Sequence, residues 1–236
     1  NSGGIIRERY KKKFNGFLIF NSNKCDTPIK VRISGDSKEH IVIDRDQIFS
    51  SMDIRLLKDN LHGITRFKLF IPETRAGDSE VITSTILEEL DYLSPRTKNI
   101  NVQINDKKLS MIFQEKAAKE MFEYNNLKES AIIESNEFLL WKLRTQGIGR
   151  SFNSLIFPKI LNAKWLSKSK VNKNISINGL QILSNAIHES WSYGKQEENS
   201  FSDLILSNNN THNERKLSSY RVLVLSMGAY HSLINH

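Results

Sequence analysis

The chain has 236 residues, 39% hydrophobic and 25% charged, a balance suited to one large globular domain or two small lobes sharing a cleft. No apolar run approaches the ~20 residues that cross a bilayer as a helix, and the single cysteine, Cys25, excludes an intrachain disulfide and a cysteine-rich zinc site. The formal net charge of +8, with cations gathered at residues 7–13 and 164–173, favours phosphate-bearing or other anionic partners.

The chain opens at Asn1 rather than Met and reads as an internal piece of a longer protein. Residues 17–70 read mainly as strand: "FLIF", "IKVRIS", "HIVID", "DIRLL" and "RFKLFI" are short β-rich runs parted by Asn, Asp, Gly and Ser. Within "KVRIS", Val31 and Ile33 alternate with Lys30, Arg32 and Ser34, the pattern of a half-buried antiparallel strand. Asp78 or Ser79 is placed to cap a helix, with Glu80 in its first turn. Val81, Ile82, Thr85, Ile86, Leu87 and Leu90 give that helix an apolar stripe. It should stop near Asp91-Tyr92, because Ser94 precedes Pro95 and is biased away from helix.

Two strands follow, "NINVQIN" and "KLSMIFQE", joined at Asp106-Lys107 by a short polar link of the hairpin kind. A second helix is expected over 116–124. Beyond Asn125, "NEFLLWKLRTQ", "NSLIFPKILNAKWL", "NGLQILSNAIHESW" and "YRVLVLSMGAYHSLI" read as helices with Asn/Ser/Lys-rich linkers. The expected organisation is a β-rich segment 1–125 carrying one prominent helix, then a mainly helical segment 126–236. His188 and Trp141, Trp165 and Trp191 fall in apolar helical runs and read first as structural residues. Neither the C₂H₂ spacing nor the aromatic RRM signature is present, so nucleic-acid reading has only charge behind it.

One pairing carries chemistry. Lys68 in "RFKLF" would leave one face of a strand, and Glu80 follows in the first turn of the next helix. A strand ammonium that reaches phosphates, held by a helix carboxylate, is how protein kinases handle ATP. The same two residues also suit a solvated lysine and a dipole-stabilising glutamate.

The wider stretch "ILEELDYLSPRTKNINVQIND…LSMIFQEKAAKEMFEYN" resembles the spore-coat-H (CotH) kinase family. Glu89-Leu90-Asp91 stands where that family has a Glu-Leu-Gly-like step, and Ser94-Pro95-Arg96-Thr97 where it has an Ala-Pro-Arg-Thr-like turn. Asn105-Asp106 takes the hairpin position and Glu115 closes the second strand. Upstream, "VRISGDSKEHI" is similar to the family's Arg-x-x-Gly hairpin and "RFKLFIP" to its lysine strand. The resemblance spans residues 30–135.

It implies a bilobal, protein-kinase-like α+β fold: a β-rich N-terminal lobe with one prominent helix and a truncated, mainly helical C-terminal lobe. It further implies ATP and Mg²⁺ as cofactors, with Lys68 on the phosphates, Glu80 as its partner, and Gly35 and Asp36 in place of a glycine-rich loop. Gln114, Glu115 and Lys116 would form the hinge against adenine, while Arg96 and Thr97 would tie the helix end to the sheet. The reaction implied is phosphoryl transfer to a protein Ser/Thr hydroxyl. No Asp or Glu follows Glu214, so the family's large-lobe carboxylates are expected either beyond His236 in the parent protein or replaced by histidine. His231 stands near the place of the catalytic acid and could serve as a base or be a plain loop histidine. Two other functions stay open: a catalytically inactive kinase-like scaffold, and a basic polyanion- or nucleic-acid-binding protein.

Overall fold

The computed structural model describes residues 6, 8–20, 26–35, 38–44, 47–136, 139, 142–143, 146 and 157–193. The chain divides into two units, Asn1–Lys128 and Glu129–His236.

In the first unit the strands are β1 (Phe14–Leu18), β2 (Thr27–Ile33), β3 (Ile41–Asp44), β4 (Gln47–Ser50), β5 (Met52–Leu56), β6 (Arg66–Phe70), β7 (Thr97–Ile104) and β8 (Lys107–Glu115). Six of them form one antiparallel sheet in the order β1-β2-β5-β6-β8-β7, and β3 pairs with β4 as a separate hairpin. Among the described residues, two α-helices belong to this unit, α1 (Ser79–Glu89) and α2 (Lys119–Tyr124).

Because side chains alternate along a strand, the sheet separates its residues cleanly. One face carries Ile29, Ile54, Leu56, Phe67, Leu69, Met111 and Phe113, all buried, with Ile64 and Ile71 completing the core. Phe67 and Phe113 pack with ring centres 4.8 Å apart. Each such side chain contributes about 1.5–3 kcal/mol when fully buried. The opposite face is polar over its middle rows; Phe70 and Ile112 on it are almost fully buried, and Phe17 at its β1 edge is exposed.

The prominent helix forms as expected, with one change at its start. Asp78 holds the N-cap position but makes no cap bond; its Oδ1 accepts a hydrogen bond of 2.6 Å from Asn99 Nδ2 on β7. The end is a Schellman turn: Tyr92 N–H donates to Leu87 O and Asp91 N–H to Glu88 O. Asp91 takes the left-handed conformation at φ 58°, the conformation for which glycine is the usual choice. Ser84 then ties the helix to the following turn through Ser94 Oγ (3.1 Å) and Pro95 O (2.6 Å).

Two boundaries move. The hairpin turn is Asn105-Asp106, with Asn105 at φ 52°. The second helix starts at Lys119, because Lys116 N–H still donates to Arg66 O and Ala118 is extended.

The second unit departs further from expectation. Its described elements are β9 (Ile133–Asn136), β10 (Phe157–Ile160), α3 (Ala163–Leu166) and α4 (Lys170–Tyr193). Part of "NSLIFPKILNAKWL" is thus a strand paired antiparallel with β9. Its apolar spacing imitates a helix, but Pro158 biases Phe157 towards extended backbone and is tolerated in a two-stranded sheet. Helix α4 begins well before "NGLQILSNAIHESW", with Ser169 Oγ accepting from Asn172 N–H at its start. Trp165 is buried, as expected of a structural anchor. Among the described residues, no helix is long and apolar enough to cross a membrane.

Candidate functional site

The register sets five polar residues side by side. Arg32, Asp53, Lys68, Gln114 and Thr97 are direct cross-strand neighbours on β2, β5, β6, β8 and β7. They lie on the sheet face opposite the apolar core, so Lys68 leaves the strand on the polar side.

Asp53 is the electrostatic centre of this row. Its Oδ2 lies 3.1 Å from Lys116 Nζ and 3.3 Å from Arg32 Nη2. Burial alone would raise its carboxyl pKa. The Lys116 ammonium, by charge and hydrogen bond, outweighs that together with Arg32 and Lys68, and holds the carboxyl below the usual range. Asp53 was not singled out from sequence, although its place two residues from Arg55 in an alternating strand put it on the polar face.

Glu80 comes to the same face from helix α1. Gln114 Nε2 donates to Glu80 Oε1 at 2.5 Å, and Gln114 stands directly opposite Lys68. The strand lysine and the helix glutamate are therefore both neighbours of one amide side chain. Lys68 Nζ also lies 5.5 Å from the centre of the Phe70 ring, over which the Arg75 guanidinium sits at 4.0 Å. Arg75 Nε is buried without a hydrogen-bond partner among the described residues. Sequence reasoning missed Arg75, since nothing in "PETRAG" reveals that its chain doubles back over Phe70.

The remaining site residues are placed differently from one another. Glu115 is buried and forms a forked pair with Arg96, at 2.8 and 2.9 Å. Its N–H donates to Arg96 O, and that of Lys116 to Arg66 O, so these two donors are already used within the sheet. Gly35 has φ 95°, and a Cβ there would lie 2.0 Å from the His40 ring. The space is filled by His40, which in turn meets Ser51 Oγ at 3.2 Å. Asp36 and His231 lie outside the described residues. Among the described residues no group of three or more His, Cys, Asp and Glu is placed to hold a metal ion.

No family model matches the chain, and no curated protein matches it.

Proposed function

We propose that the chain is a kinase-like domain whose β-rich unit takes the phosphates of Mg-ATP at Lys68. The observation that carries the proposal is Gln114: opposite Lys68 in the sheet and bonded to Glu80, it stands between the lysine strand and the helix carboxylate. Lys68 and Arg75, both beside the Phe70 ring, fit an anion with several phosphate charges. The orphaned Nε of Arg75 leaves that guanidinium without a hydrogen-bonded counter-charge at its inner nitrogen.

In this proposal Lys68 binds and orients the phosphates, Glu80 and Gln114 restrain Lys68, and Asp53 keeps the surrounding cations spaced. Bound ATP would supply the phosphoryl group for a protein Ser/Thr hydroxyl. Positioning and charge neutralisation by these side chains would be their main catalytic contribution. The proposal assigns Mg²⁺ no protein ligand. His231 remains the candidate base.

A second proposal keeps the kinase-like architecture without catalysis. It is favoured by the hinge residues: the N–H groups of Glu115 and Lys116 already donate to Arg96 O and Arg66 O within the sheet and so are not offered to an adenine ring.

Thermal unfolding with and without Mg-ATP tests the nucleotide site, because a ligand of the native state raises the midpoint. A rise that Lys68→Ala abolishes is expected. A folded protein with no shift at millimolar nucleotide would remove the ATP assignment.

A further inference from the structure

Next to the Asp53 row runs a second one with a different charge pattern. Lys30, Arg55 and Arg66 stand opposite one another on β2, β5 and β6, and all three are exposed. Strand spacing is ~4.8 Å, so the backbone positions of the three span ~10 Å. The Arg32-Asp53-Lys68 row alternates in sign, its cations sharing the Asp53 carboxylate. The Lys30-Arg55-Arg66 row does not, and among the described residues none of its members forms an ion pair. Like charges directly opposite in a sheet are destabilising, so a polyanion bound along this row would relieve their repulsion.

The same face continues to an apolar edge. Phe17 pairs with Pro28, two residues along β2 from Lys30, and is 70% exposed. Leu57, whose N–H donates to Pro28 O, is 45% exposed beside it. A short cation row flanked by an accessible aromatic ring is the combination that holds single-stranded nucleic acid: cations follow the phosphodiester backbone and the ring stacks a base.

We propose that this edge of the sheet binds a single-stranded nucleic acid, with Lys30, Arg55 and Arg66 on successive phosphates and Phe17 as the stacking platform. The proposal does not depend on nucleotide binding at Lys68.

Fluorescence anisotropy of a labelled oligothymidylate, titrated with the full chain between 50 and 200 mM salt, tests it. Affinity should fall linearly on a log–log plot. In Lys30→Gln/Arg55→Gln/Arg66→Gln the slope should shrink by about 2, because each lost phosphate contact removes about 0.7. Phe17→Ala should weaken binding at every salt concentration with the slope unchanged. Should the triple variant unfold, each single variant should still lower the slope by about 0.7. An unchanged slope in folded variants would overturn the proposal. So would equal affinity for a duplex of the same length, or for inorganic polyphosphate with no effect of Phe17→Ala, since charge alone would then explain binding.

Discussion

Arg96 and Glu115 form a forked ion pair that fastens the turn after α1 to the end of β8, with nitrogen–oxygen distances of 2.8 and 2.9 Å. Both side chains are mostly sequestered, at 12% and 1% exposure. Arg96 Nη1 also donates to His62 O at 2.8 Å, and its guanidinium stacks 4.0 Å above Tyr124. One arginine thus ties together a turn, a strand end, the β5–β6 loop and α2. Hydrogen bonding to the Glu115 carboxylate, which accepts from Arg96, raises the Arg96 pKa further above its already high value, against the cost of burial.

Breaking this pair leaves a buried charge without its partner. Arg96→Ala should therefore cost about 3–5 kcal/mol, read as a lower urea midpoint with an unchanged slope. Arg96→Lys should recover only part of it, because an ammonium cannot reproduce the fork.

Asp53 predicts a specific acid response. Its folded pKa is lowered, so its contribution is present above the unfolded carboxylate value of ~3.9 and is lost as pH falls through the folded value. Urea midpoints between pH 6 and pH 2.5 should drop more steeply for the native chain than for Asp53→Asn. At pH 6 the variant should be less stable by about 2 kcal/mol, the scale of a hydrogen bond to a charged group.

Gly35→Ala should destabilise by more than about 2 kcal/mol, combining a left-handed backbone with a clash against the His40 ring. Gly35→Ala/His40→Ala should recover part of the loss, since removing the ring relieves the clash but not the φ of 95°. Thermal unfolding of both variants measures the difference.

Much of this was legible in the sequence because it depends on short-range rules. Alternation in "KVRIS" and "RFKLF" gave the strands, and α1 ended near Asp91-Tyr92 as predicted, although a Schellman turn at Asp91 rather than Ser94-Pro95 ends it. The bond between Gln114 and Glu80 and the Asp53 ion cluster were not legible, because both depend on cross-strand register and helix packing. Part of "NSLIFPKILNAKWL" became β10 because pairing with β9 outweighed a helix-like apolar spacing. Arg75 was hidden for a similar reason: a left-handed Ala76, at φ 53°, turns the chain beyond Pro72–Arg75 while Arg75 itself covers Phe70.

The most direct test of the nucleotide site is covalent labelling with an acyl-phosphate derivative of ATP, which acylates a lysine amine lying beside its phosphates. After digestion, mass spectrometry should find the acyl group on Lys68, suppressed by excess Mg-ATP and unaffected by excess inorganic sulfate. Labelling of Lys30 and Lys116 at the same level as Lys68, or labelling insensitive to Mg-ATP, would contradict a phosphate site at Lys68.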